Sequence, residues 1–359
     1  MKKLLALVLA GVMAFSLVAC GGGSEGGDGD ADAKLKVNLL CTSLGDKSFN
    51  DSADAGLKRM ANAGLIDYTP TEYGQDNLKV PSYMEEAAED YDVVVCNNLG
   101  FGEATKWLKD NAAKYPETTF IIYDEPTEKM PEAKNVQMLA YKANESDFIA
   151  GALAGLMSKT GVIGFLGGVQ SPVISVFLVG YIEGDKYFNE DIRVIVSYVG
   201  NYTDTTTAAN LAKTAINDGA DVLHAVAGGA GNGYLSEAQV NGKLGIGVDS
   251  DQYESFKEAQ PDLAKSIVTS SLKDVGASLE VVIGDMLDGT YEWSECLWFG
   301  MAENCAGIAE NENYKALVSA DIDAQIQDIK AKLADGTITV STAYGMDEAT
   351  EQAIIDSVK

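Results

Sequence analysis

The polar turn Asp46-Lys-Ser-Phe-Asn-Asp51 is the stretch of this 359-residue chain best equipped to recognise a small molecule. Asp46, Ser48, Asn50 and Asp51 offer hydrogen-bonding groups, and Phe49 offers a flat apolar face of the kind that stacks on a ring. The alternative is local: Asp51 or Ser52 caps the helix that follows, and Phe49 folds back onto it. Further along, apolar runs end in single polar residues. Asp124 closes Phe120-Ile-Ile-Tyr-Asp124 and Asp249 closes Gly245-Ile-Gly-Val-Asp249. A carboxylate at a strand end accepts two hydrogen bonds from neighbouring hydroxyls, a recurrent way for α/β sites to hold a ribose. Lys273 follows Val268-Thr-Ser-Ser-Leu272. In Gly228-Gly-Ala-Gly-Asn-Gly233, Gly229 and Gly231 let the backbone approach a ligand and present N–H groups to it. Singly, each has a bland alternative: a cap, a surface ion pair, a tight turn. Jointly they set polar groups at several strand ends around one cleft.

These residues need a scaffold that brings strand ends together, and the hydrophobic pattern supplies one. Leu35–Cys41, Tyr91–Cys96, Thr119–Tyr123 and Val136–Ala140 read as strands, with helices over Asp51–Ala63, Tyr83–Ala88 and Glu103–Lys114. A second series repeats the alternation. Its strands are Gly161–Leu166, Arg193–Val199, Asp221–Ala227, Gly245–Val248 and Lys265–Ser270, and its helices are Phe148–Lys159, Ser175–Asn189 and Thr205–Asn217. Beyond these, Lys273–Leu287 and Asp321–Leu333 read as helices, Thr337–Val340 as a short strand and Met346–Val358 as a further amphipathic helix. Alternation of this kind argues for βαβ units and mainly parallel sheets, here in two similar lobes. Ligands of such sheets bind outside the carboxyl ends of the strands.

A formal net charge of −28 argues against nucleic acid, whose binding rests on Lys and Arg neutralising phosphates. An apolar content of 46% suits a globular protein. Residues 1–19 read as a signal peptide: a basic Lys2-Lys3, an apolar Leu4–Phe15 too short to span a bilayer, then Leu17-Val-Ala-Cys20. Leu17-Val-Ala-Cys20 resembles a bacterial lipobox, which makes Cys20 the lipidated first residue and residues 20–34 a flexible tether. The expected location is therefore the outer face of the cell membrane, with the membrane touched through lipid alone.

Catalytic equipment is sparse. The single histidine, His224, lies inside the apolar run Val222–Ala227 and reads as structural. No nucleophile elbow, zinc-protease motif or phosphate-binding P-loop is present. Cys41, Cys96, Cys296 and Cys305 lack metal-binding spacing; Cys296 and Cys305 are free to pair or not. No cofactor or metal is expected, and no enzymatic role.

The chain resembles the basic membrane protein, or PnrA-like, family of substrate-binding lipoproteins of ABC transporters. The resemblance is carried by Leu44–Leu57, Phe120–Asp124, Gly161–Gly168, Phe177–Gly180, Ala220–Gly233, Gly247-Val-Asp-Ser-Asp-Gln252 and Thr269–Lys273, in order over roughly residues 36–340. It implies a type I periplasmic-binding-protein fold, two Rossmann-like lobes hinged by three crossovers. Lobe 1 would take 35–141 plus 271–297 and lobe 2 would take 142–270 plus 298–359. It further implies a purine nucleoside, or similar nucleoside, in the cleft. Phe49 would stack on the base, Asn50 and Asp124 would read it, and Asp249 and Lys273 would hold the ribose. A second aromatic would stack from the far lobe, Tyr202 in the first place and Phe177 in the second. The implied partners are an ABC permease and ATPase, with the receptor itself a monomer. Two departures stand out: the run Cys41–Gly45 is shorter than is usual before the SFN motif and offers only hydroxyls, and Tyr202 stands where Phe is usual. The same fold also serves other small polar ligands and signalling receptors; a nucleoside-cleaving enzyme would need a base or metal cluster.

Overall fold

The computed structural model describes residues 34–74, 76–97, 102–124 and 133–359. The leader, the lipidation at Cys20 and all of the tether but Lys34 lie outside the described residues.

Among the described residues twelve strands form two six-stranded sheets. The first holds β1 (Leu35–Cys41), β2 (Ile66–Glu72), β3 (Val93–Asn97), β4 (Thr119–Tyr123), β5 (Val136–Tyr141) and β11 (Cys296–Phe299). Its order is β11-β5-β4-β3-β1-β2, parallel throughout. The second holds β6 (Val162–Gly167), β7 (Arg193–Tyr198), β8 (Val222–Val226), β9 (Leu244–Asp249), β10 (Ile267–Lys273) and β12 (Ala306–Ile308). Its order, β12-β10-β9-β8-β6-β7, repeats the first, with β12 alone antiparallel. β4 and β9 therefore occupy the same place in their sheets. The central strands are buried on both faces, as parallel sheets flanked by helices require, which is why they read as continuous apolar runs.

Among the described residues three passages join the lobes: β5 into the helix Ala143–Met157, β10 into the helix Val275–Asp288, and β11 into β12. Ser146 ties them, since its hydroxyl donates to Leu272 O at 2.6 Å and accepts from Gly307 N–H at 2.8 Å. β10 stays in the second sheet through Lys273 and β11 in the first through Phe299. The second and third passages thus fall two to three residues beyond the expected division at 271 and 298.

Several local expectations are corrected. β2 was not foreseen because Asp67, Thr69, Pro70 and Glu72 break its apolar pattern; it is an edge strand, where Pro is tolerated. Thr337–Val340 joins no sheet. Its end is instead held by Asn144, whose side-chain amide donates to Val340 O and Ser341 O. Gly228–Gly233 is the start of the helix Gly228–Val240 and not a tight turn. Cys296 and Cys305 are unpaired, and burial raises the two thiols to about 11 and about 12. His224 is fully buried, with Nδ1 at 3.2 Å from Ile246 O and Nε2 at 3.1 Å from Asp147, so it links strand β8 to the helix Ala143–Met157.

Candidate functional site

The carboxyl ends of both sheets face a cavity of about 350 Å³. From the first lobe the turn before the helix Phe49–Asn62 enters it. Asp46 shapes that turn, accepting from the N–H groups of Ser48, Asn50 and Asp51 at 2.9 to 3.1 Å. Asp51 reaches back to the N–H groups of Gly45 and Lys47 at 2.7 and 2.9 Å. The expected cap from Asp51 or Ser52 is thus supplied by Asp46, because the helix begins two residues earlier than anticipated, at Phe49. Burial raises the Asp46 carboxyl to about 6 against the pull of those N–H donors.

Phe49 is therefore a first-turn residue, 7% exposed, and not a loop aromatic. Its ring lies 5.2 Å from Tyr123 and lines the cavity. Asn50 also lines it, with its amide donating to Thr42 Oγ1 and Ser43 O and accepting from Asn97. The side-chain amide is oriented by this network before any ligand arrives.

Asp124 and Asp249 stand immediately after β4 and at the end of β9, and both have left-handed backbones, with φ of 68° and 64°. Non-glycine residues rarely adopt this conformation, and such strain gathers where a site demands it. Because β4 and β9 are equivalent strands, the two lobes present matching carboxylates to one cavity. Lys273 meets both. Its Nζ lies 2.6 Å from Asp124 Oδ2 and 3.5 Å from Asp249 Oδ1, with the lysine side chain 4% exposed. Burial alone would lower the ammonium's pKa, but the two carboxylates outweigh it and hold it above its ordinary value. Burial raises the Asp249 carboxyl, with Lys273 and Ser48 opposing. The same Nζ sits 4.4 Å from the Phe49 ring centroid and 5.0 Å from that of Phe177, between aromatic faces of the two lobes.

Tyr202 lines the far wall, and its ring passes so close to Gly168 that a Cβ there would lie 2.2 Å from it. Phe177 lines the cavity too, so both candidate aromatics are present. Gly228 and Gly229 bring a helix N-terminus to the cavity, and in its first turn the Ala230 N–H donates to Tyr202 O at 2.8 Å. Gly231 does not belong to the lining: its α-carbon faces Ala225 of β8, where an added Cβ would lie 3.2 Å away. One turn of helix carries it past the opening. Sequence reading missed the apolar wall of Val173, Ile174, Val226 and Val248, which looks like ordinary core until the lobes meet. It also missed Asn232, although its spacing of three to four residues from Gly228 and Gly229 sets it on their helix face.

Acids on both lobes, one shared cation and facing rings can hold a flat, polar, uncharged molecule. Among the described residues no group of His, Cys, Asp and Glu is placed to hold a metal ion, and no helix is long and apolar enough to cross a membrane.

Comparison with known proteins agrees with this architecture. The chain is 29% identical over 344 residues to basic membrane protein A of Borreliella burgdorferi, covering 95% of this chain and 96% of that protein. It is 28% identical over 359 residues to the ABC transporter nucleoside-binding protein BmpA of Lactococcus lactis, covering 95% and 99%. Among solved structures, an ABC transporter solute-binding protein of Aeropyrum pernix superposes with a TM-score of 0.76 at 23% identity, covering 90% of this chain and 97% of that one. A likeness at that identity speaks for the fold, a type I periplasmic-binding-protein fold. Residues 35–342 match the family described as ABC transporter substrate-binding protein PnrA-like, and the chain belongs to that family.

Proposed function

We propose that this protein is the lipid-anchored receptor of an ABC importer and that it binds a purine nucleoside, or a similar nucleoside, between its lobes. The observation that carries the reading is the meeting of Asp124, Asp249 and Lys273 beneath Phe49. In the proposed complex the base stacks on Phe49, with Tyr202 or Phe177 opposite, and displaces the ammonium from between the rings. Asn50 and Asp124 bind the base edge, Asp249 and Lys273 take the ribose hydroxyls, and Gly229 offers its backbone N–H. Stacking of this kind contributes about 1–3 kcal/mol per base. The ligand bridges the lobes and favours the closed form, which a permease with its ATPase then reads. The receptor acts as a monomer on the outer face of the membrane, held through Cys20. The similarity to a nucleoside-binding protein of Lactococcus lactis supports the nucleoside assignment.

Calorimetric titration with adenosine, guanosine, uridine, adenine, ribose and AMP tests the reading. Three ionisable acids and one lysine line the cavity, so a phosphate is disfavoured and nucleosides should outbind AMP. AMP binding as tightly as adenosine removes Asp124 and Asp249 from the ligand's surroundings. Ribose binding where nucleosides do not would replace the ligand class.

A further inference from the structure

We infer that Ser250 and Gln252 form a latch between the lobes that works without touching ligand, by gripping the Lys47 carbonyl of the opposite lobe. This rests on the reading that the protein works by opening and closing its cleft. Lys47 belongs to the first-lobe turn, and its carbonyl oxygen accepts from Ser250 Oγ and from Gln252 Nε2, each at 3.0 Å. Asn232 adds a longer contact of 3.4 Å to the Asp46 carbonyl. Lys47, Ser250 and Gln252 are absent from the cavity lining, so a ligand there leaves these bonds in place.

Both halves of the latch are shaped before they meet. On the acceptor side, Lys47 has a left-handed backbone, φ 60°, and its N–H is fixed by Asp51. On the donor side, Gln252 is 1% exposed. Its Oε1 accepts from Val248 N–H at 3.1 Å, which leaves its NH2 group aimed at Lys47, and its own N–H donates to Ser270 Oγ at 3.1 Å. Gly247 permits this: a Cβ there would lie 2.5 Å from both Gln252 Oε1 and Ser270 Oγ. The latch adjoins the ligand site through Ser48, whose hydroxyl donates to Asp249 across the same seam. Ser250 and Gln252 are thus positioning residues, whose contribution is to the population of the closed form.

The signature follows from linkage. Apparent dissociation constants scale inversely with the fraction of competent protein, so weakening the latch raises them by one common factor for every ligand. A neutral hydrogen bond corresponds to about a 2- to 13-fold change in that equilibrium. The test compares wild type with Ser250→Ala and with Ser250→Ala/Gln252→Leu. Small-angle X-ray scattering of the ligand-free proteins should show a larger radius of gyration in the variants. Titration with adenosine, guanosine and uridine should show dissociation constants raised by one shared factor, up to about tenfold for Ser250→Ala and smaller the more of the free wild type is closed. An unchanged radius of gyration, or factors that differ between nucleosides, overturns the latch. Should the double variant fail to fold, Ser250→Ala decides alone, since its hydroxyl bonds only Lys47 among the described residues. If no nucleoside binds even the wild type, the ligand assignment falls while the scattering comparison still decides the latch.

Discussion

Replacing Lys273 with methionine removes the one cation that two buried carboxylates share, while keeping most of the apolar stem against Phe49 and Phe177. The side chains of Lys273, Asp124 and Asp249 are 4%, 9% and 7% exposed, so water screens their interaction weakly. Taking one partner from such a pair typically costs about 3–5 kcal/mol, because the charge left behind is neither hydrated nor paired. Two acids are left here, so the upper part of that range is expected at pH 7.5. The loss has a pH signature. Asp249 is already raised by burial with Lys273 opposing, and removing the lysine raises it further. A carboxyl raised above its unfolded value favours the fold below the unfolded pKa, and that contribution is lost as pH climbs through the folded one. The gap between variant and wild type should therefore narrow on acidification from pH 7.5 to pH 5. Urea unfolding followed by tryptophan fluorescence at both pH values measures it. A variant within about 1 kcal/mol of wild type at pH 7.5, or a gap that does not narrow in acid, refutes the buried triad.

Asp185 is fully buried, and among the described residues neither carboxylate oxygen makes a hydrogen bond of ordinary geometry; burial holds its carboxyl well above the ordinary range, with the neighbouring Lys186 opposing. Its stabilising neutral form is lost as pH rises, so Asp185→Asn should gain about 1–3 kcal/mol near pH 8 and little near pH 4, as read from thermal unfolding across pH. Gly151 lets two helices touch, since a Cβ there would lie 2.0 Å from Tyr181 O, whereas Gly284 is helical with nothing within 4 Å. Gly151→Ala should destabilise by about 1–3 kcal/mol or more through overpacking. Gly284→Ala should stabilise by roughly 0.5–1 kcal/mol. Equal effects in denaturant titration would contradict the packing.

The strands around the site were legible because each is a short apolar run bounded by polar breaks. Asp124 and Asp249 were legible as acids at the ends of such runs, and their equivalence between lobes followed from the repeated alternation. Phe49 stands out in the sequence as an aromatic among polar residues, yet its place on the helix does not. The reason is that Asp46, not Asp51 or Ser52, satisfies the first N–H groups. β2, β11 and β12 escaped because edge strands with one paired side need little apolar pattern.

The chain itself dictated the βαβ rhythm, its doubling, the acidic charge balance that argues against nucleic acid, and the polar strand ends, because periodicity and charge are local properties. Only tertiary folding decided that Lys273 reaches Asp124 across 149 residues, that Gly231 turns toward β8, and that the Lys47 carbonyl meets Ser250 and Gln252. Such contacts depend on how two lobes close on each other, and no pattern of neighbours along a chain encodes which distant groups that closure will set face to face.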